Sequence, residues 1–315
     1  MIDLGSSIHT RRIEISEIES LNLGTFIHGI SSDEERANVI TDALTETAGT
    51  LRIGLSVDTD SFCTPFSEKL DAHEVFSLYD HAGISGFTAS LTECVAIDLT
   101  SLEHRVWAPL VKTLIAQNKH FVAVYAEPDD YTRAEHSLGS IYDLSTHHGI
   151  EPLPGFAKLS RRPEESGNFA PLLGFEGARL SHIFDQEEVE STGTYPILGA
   201  PGFRIEYPAL ALVANRATLE MDRMEDRMEF ATASCPFSAF DALHAIHKRI
   251  DDAYLRIAPI GTKPHALGAV IYAICHPGNT ELIYDHPRRS PGRSTGHRAL
   301  YVYQVSEFIL NRRNT

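Results

Sequence analysis

Cysteine is scarce in this chain: four in 315 residues, at positions 63, 94, 235 and 275, with no CxxC pair. Such wide spacing argues against a disulfide framework and against structural zinc, and the thiols fit a reducing cytoplasm. Long apolar runs are missing as well. No stretch approaches the roughly 18 unbroken apolar residues that a membrane helix needs, so no membrane partner is expected. The opening "MIDLGSSIHTRRIEISEIES" (1–20) has no apolar core ahead of a small-residue cleavage site, and no secretory signal is expected there. Basic charge is in short supply: 27 lysines and arginines against 43 acids give a formal net charge of −16. A positive footprint, the requirement for generic nucleic-acid binding, is therefore absent. A local basic pocket for a small anion remains open, because net charge and local field are separate quantities. The Walker sequence GxxxxGK[ST] is missing, and no GxSxG stands at a strand-to-helix turn where it could serve as a nucleophile elbow. His147-His148 and His244 with His247 lack a nearby third ligand, so neither a metal nor a bound cofactor is expected.

What is present reads as α/β. Hydrophobic residues make up 43% and charged residues 22%, an ordinary balance for a globular protein. The length suits two domains of ordinary size or one large one. Strand patterns occur at "GTFIHGIS" (24–31), "TLRIGLSV" (50–57), "CVAIDL" (94–99) and "HFVAVYAEP" (120–128), with a further irregular strand within 72–80. Helical patterns fall at 33–49 and around Val106, Leu110, Val111 and Leu114. Residues 132–168 are polar, rich in glycine and proline, and read as a connection. A second series follows: strand 169–175, helix 177–189, strand 194–200, helix 209–221, strand 228–234, helix 237–254, then strand, helix and strand across 255–287, and a last strand 299–308. Apolar strands alternating with helices predict mainly parallel sheets covered by helices on both faces.

The two series resemble each other. "VAIDLTSLEHRVWAPLVKTLIAQNKHFVAVYAEP" lies over "LRIAPIGTKPHALGAVIYAICHPGNTELIYDHP", which sets Thr100-Ser101 over Thr262-Lys263 and Glu127-Pro128 over His286-Pro287. "FIHGISSDEERANVITDALTE" likewise lies over "LLGFEGARLSHIFDQEEVES". The chain is accordingly divided into an N-terminal half, 1–150, and a C-terminal half, 165–315, each Rossmann-like.

In an open parallel sheet, ligands bind beyond the carboxyl ends of the strands, where the strand order reverses. Helix N-termini there present unpaired N–H groups suited to phosphate. Glycines mark these ends at Gly29, Gly174, Gly177, Gly199, Gly202 and Gly261. Gly261-Thr262-Lys263 adds a hydroxyl and an ammonium, and Pro264 suits an early helical position. Arg288, Arg289, Arg293 and Arg298 leave the neighbouring strand at the same edge, and guanidinium forks match phosphate oxygens. Gly261, Thr262, Lys263, Arg288, Arg289 and Arg293, with Thr100 and Ser101 in the first half, form the candidate ligand site. Plainer uses exist for each: a tight turn for Gly261, a solvated side chain for Lys263, a flexible surface loop for the arginines. Glu34, Glu35, Arg36, Glu176 and Arg179 suit helix capping and dipole roles. Asp98, Glu127, Tyr131 and His286 end strands on the same edge. Of these, Asp98, Glu127 and His286 are the candidate acids and bases, although no motif demands that role.

The turn in "IAPIGTKPHALGA" (257–269), with the weaker "IDLTSLEHR" (97–105), resembles the signature turn of CARF domains. Tandem Rossmann-like halves in one chain are similar to the related SAVED sensors. The resemblance implies recognition of a cyclic oligonucleotide or related ligand in prokaryotic antiviral defence, with effector activity supplied by a protein partner. Pro259 and Ile260 depart from the glycine or threonine that usually precedes the Gly-Thr-Lys of that family, and no nuclease, HEPN or protease segment is visible. Two functions follow as expectations: a cytoplasmic sensor that binds a nucleotide or other phosphorylated small molecule, with room for an oligomer, or an enzyme, a glycosidase or transferase, acting on a nucleotide or sugar phosphate.

Overall fold

Residues 8–30, 35–45, 49–67, 74–92, 94–132, 145–146, 149–158, 167–187, 189–289, 292 and 294–313 are described by the computed structural model. The chain forms two units. Unit 1 comprises Met1–Tyr131 and Ser294–Thr315, and unit 2 comprises Thr132–Arg293. The C-terminal 22 residues thus belong with the first half of the sequence, whereas the sequence boundaries left them with the second.

Unit 1 is built on an eight-stranded sheet. Its strands are β1 (Thr10–Ile13), β2 (Thr25–Gly29), β3 (Leu51–Val57), β4 (Phe62–Phe66), β5 (Phe76–Ser77), β6 (Val95–Asp98), β7 (Phe121–Glu127) and β17 (Ala299–Tyr303). The order across the sheet is β1-β17-β7-β6-β2-β3-β4-β5. The four central strands β7, β6, β2 and β3 are parallel. Every residue of β6 and β7 is buried, as continuous apolar strands covered on both faces should be. Helices His81–Ser90 and His104–Ala116 connect β5 to β6 and β6 to β7. Trp107 in the second of them is fully buried. A separate core under the opposite face gathers Phe26, Ile40, Ala96, Val122, Val124, Leu300 and Val302. A short ribbon pairs β8 (Asp130–Tyr131) with β16 (Ser294–Thr295).

The flanks of this sheet correct the expectation of mainly parallel pairing. β4 and β5 run antiparallel on one side, and β17 and β1 on the other. The cause on the first side is local. Asp58 accepts from the backbone N–H groups of Asp60 (3.0 Å) and Phe62 (2.8 Å), closing a short turn that permits only an antiparallel neighbour. The final strand is also shorter than expected: it ends at Tyr303, and Val305–Arg313 is helical. Of the helix expected at 33–49, the described residues form a 3-10 turn, Glu35–Ala37, and a helix, Val39–Ala43.

Unit 2 is parallel among its longer strands. Beyond β9 (Ser145–Thr146) it has β10 (Phe169–Pro171), β11 (Ile197–Gly199), β12 (Glu229–Ala231), β13 (Leu255–Ala258) and β14 (Thr280–Leu282), then β15 (Arg288–Arg289). β10-β13-β14 and β11-β12 are each parallel. Parallel bridges Phe169↔Thr194 and Leu172↔Ile197 join β10 to β11. The resulting order is β12-β11-β10-β13-β14, with helices Gly177–Glu187, Tyr207–Leu219, Pro236–Arg249 and Lys263–Cys275 as the crossovers. The last two pack so closely that a Cβ on Gly268 would lie 2.1 Å from the Pro236 carbonyl oxygen, a contact only glycine allows.

In both units the chain builds outward in one direction and then returns to the other side of its starting strand. The reversal falls between β2 and β6 in unit 1 and between β10 and β13 in unit 2.

Candidate functional site

The reversal in unit 2 is where the Gly261-Thr262-Lys263 turn sits. β10 and β13 diverge there, and their following turns press together backbone to backbone. A Cβ on Gly174 would lie 2.7 Å from the Ile260 carbonyl oxygen, and one on Gly261 would lie 2.7 Å from that of Leu173. Both glycines are therefore required by close approach. Thr262 is the N-cap of helix Lys263–Cys275: its Oγ1 accepts from the His265 N–H (3.3 Å) and donates to the Ala233 carbonyl (2.8 Å). Lys263 opens the helix and is buried, with 8% of its surface exposed; the solvated reading of this lysine does not hold. His265, one turn in, is fully buried and directs Nε2 to the Thr232 carbonyl (3.1 Å). Among the described residues its Nδ1 has no hydrogen-bond partner. Burial pushes its pKa down to about 4, the Thr232 bond offsetting part of that effect, so the ring is neutral at pH 7.

An arginine closes the same edge. Arg179, in the first turn of helix Gly177–Glu187, holds Asp285 with Nε (2.8 Å) and Nη2 (2.6 Å), and its Nη1 donates to the Ile260 carbonyl (3.1 Å). Both side chains are buried, Asp285 completely. Burial alone would lower the pKa of the guanidinium, but the Asp285 carboxylate outweighs it and raises the pKa. Removing one member of such a pair costs about 3–5 kcal/mol, since the other charge is left buried. Asp285 lies just past β14. From there the chain runs as a ribbon: Glu151 pairs with Tyr284, the His286 Nε2 donates to the Glu151 carbonyl (3.0 Å), and Arg288-Arg289 pair with Thr146 and Ser145. Because β13 and β14 are parallel, the glycine turn and the root of this ribbon leave the sheet at one edge. Arg293 lies outside the described residues. Arg298 belongs to unit 1, where its N–H donates to the Glu127 carbonyl (3.0 Å) and its Nη1 is 3.9 Å from the Glu127 carboxylate.

The reversal in unit 1 is knitted by its own side chains. Asp98, fully buried, accepts from the N–H of Thr100 (2.7 Å), the N–H of Ser101 (3.1 Å) and the Ser101 hydroxyl. Thr100 Oγ1 accepts from the Ala126 N–H (2.9 Å), and Ser101 Oγ from the Gly29 N–H (2.9 Å). Glu127 is buried and accepts from the Tyr301 hydroxyl (3.3 Å). Arg36 is buried; its Nη1 donates to the Ala126 carbonyl (2.6 Å) and the Tyr125 hydroxyl (3.1 Å). Tyr131 sits in the β8–β16 ribbon. Glu34 and His147-His148 lie outside the described residues. Among the described residues no group of three or more His, Cys, Asp or Glu is placed to hold a metal ion. No helix among them is long and apolar enough to cross a membrane.

No family model, no curated protein and no solved structure matches the chain.

Each unit can still be compared with the other. Gly29 faces the Ser101 carbonyl as Gly174 faces that of Ile260. Arg36 lies over the Tyr125 ring at 5.4 Å, and Arg179 over the Tyr284 ring at 5.9 Å, both within cation–π range. Tyr125-Ala126-Glu127-Pro128 and Tyr284-Asp285-His286-Pro287 hold matching places, as the sequence alignment has them. The helix starts shift one part of that alignment: Glu103, not Thr100, is the N-cap matching Thr262. Sequence reasoning gave Arg179 only a capping role and passed over Asp285.

Proposed function

We propose that unit 2 is a Rossmann-like half that seats a phosphorylated small ligand, such as a nucleotide, at the Gly261-Thr262-Lys263 turn, and that the chain acts as a sensor. The carrying observation is the place of that turn: the point where the strand order β12-β11-β10-β13-β14 reverses, with a buried lysine at the start of a 13-residue helix. Sheets of this kind receive ligands outside such reversals. Arg288 and Arg289 follow from the same edge and supply the clamp. Unit 1 is the matching Rossmann-like half, supported by the shared glycine, arginine and tyrosine placements. There the amides of Thr100 and Ser101 already hold the Asp98 carboxylate, which occupies them as an anion would, so the ligand belongs to unit 2. A cytoplasmic role in prokaryotic defence or stress, with a protein partner as effector, rests on the resemblance of 257–269 to CARF turns.

The enzyme reading has less support. Asp98 is committed to three internal donors, Glu127 to Tyr301, and His286 to the Glu151 carbonyl. Calorimetry against a nucleotide panel tests the proposal. Lys263→Ala is expected to weaken binding of the phosphorylated ligand about tenfold or more, roughly 1.4 kcal/mol; unchanged affinity sinks it. Chromatography of the same mixtures should show no turnover, and a product lost in Glu127→Gln would turn the reading toward an enzyme.

A further inference from the structure

We propose that Arg179 is a positioning residue that couples the 259–263 turn to the ribbon rooted at 284–286, so that occupancy at the turn is felt by the strand carrying Arg288 and Arg289. The proposal rests on the reading of that turn as an anion seat, but its mechanical half stands apart from it.

One planar group makes both attachments. Nη1 of Arg179 holds the carbonyl of Ile260, the residue before Gly261. Nε and Nη2 hold the two oxygens of Asp285, the residue before His286. A guanidinium fork fixes its partners in a plane, so the two segments cannot shift independently without breaking a charge-assisted bond. Burial raises the stakes, because Asp285 is completely buried and a bond broken there is not readily replaced by solvent. The ribbon leaves its root at a bend: His286 has φ +41, a left-handed conformation uncommon for a side chain of this size. Its Nε2 bond to Glu151 and the Tyr284–Glu151 pairing hold the two sides of the ribbon together there. A displacement of the turn therefore acts on Arg179, then Asp285, then the bend. Coupling of this kind is reciprocal, so the order of the ribbon must also bias affinity at the turn. Unit 1 provides an internal contrast. Its arginine, Arg36, meets a tyrosine and a backbone carbonyl at the matching places, with Ala126 standing where unit 2 has Asp285.

Hydrogen exchange read by mass spectrometry on the full chain, with pyrophosphate as the probe, tests this. Without probe, Asp285→Asn should exchange about tenfold faster at both 258–262 and 284–289, while β6 and β7 of unit 1 keep wild-type rates. Arg179→Lys, which keeps the charge and loses the fork, should show the same paired pattern more weakly, and it serves if Asp285→Asn does not fold. With pyrophosphate, the wild type should gain protection in both segments, and Asp285→Asn in the turn alone. Acceleration spread evenly through unit 2, or confined to one segment, overturns the tether. If pyrophosphate protects nothing in the wild type, the anion seat falls, while the paired acceleration without probe still decides the tether. If it protects the ribbon of Asp285→Asn as fully as that of the wild type, the seat stands and the coupling is wrong.

Discussion

His265 makes stability depend on pH through burial alone. The ring is fully buried and its pKa is pushed down to about 4 from 6.5. Below about pH 6.5 the unfolded chain takes up a proton that the folded chain refuses until about pH 4, so acid favours unfolding in that window. The contribution is present in full above 6.5 and shrinks as pH falls, by at most about 3 kcal/mol. Urea titrations between pH 4.5 and 7.5 check it: His265→Gln, whose amide can still donate to the Thr232 carbonyl, should flatten the slope. An equally steep slope in the variant would assign the effect elsewhere, to His28 or His247, since burial lowers the pKa of each. At this scale the sequence was legible where backbone geometry dictates the residue. Gly174 and Gly261 could be picked out because close approach between two turns tolerates nothing larger. The Arg179–Asp285 pair could not, since the two are 106 positions apart and no local pattern announces a buried charge pair.

Element by element, legibility follows the strength of the apolar pattern. β6, β7, β13 and the helix 263–275 are buried nearly throughout, and they were readable as runs. Helix His81–Ser90, "HAGISGFTAS", carries two glycines and buries only Ile84, Phe87 and Thr88. Periodicity was too faint to reveal it, and the strand expected across 72–80 covers the ground just before it. What starts this helix is its cap: the Asp80 carboxylate accepts from the N–H groups of Ala82 (3.0 Å) and Gly83 (3.1 Å). A helix with two glycines and little apolar surface leans on that cap. Asp80→Ala should therefore cost about 1–2 kcal/mol, the upper part of the usual range for a lost cap, whereas Asp80→Asn should cost a few tenths. Denaturant midpoints for the two variants decide it; equal losses would mean that the charge, and not the capping oxygens, matters.

For the whole molecule, the feature least available from sequence is the return of the chain to unit 1. An apolar run at 299–303 announces a strand but not its partner, because antiparallel pairing to β7 across a 162-residue excursion through Thr132–Arg293 leaves no local trace. Register shows how much depends on it. β17 lies between β7 and β1, pairing Tyr301 with Tyr125 on one side and with Arg12 on the other. Leu300 and Val302 complete the core with Val122 and Val124. Removing residues 294–315 would strip β7 of a neighbour, detach β1 and expose that core, while every strand of unit 2 keeps its partners. The loss of Leu300 and Val302 alone forfeits the burial of two apolar side chains, each worth about 2 kcal/mol, a loss compounded by the unpaired edge of β7. A chain ending at residue 293 should therefore lose the cooperative unfolding of unit 1 and keep that of unit 2. Limited proteolysis should then cut within residues 8–131 and spare 167–289. Binding at the Lys263 turn should survive the same truncation, and its loss would show that unit 2 cannot hold the ligand without its companion.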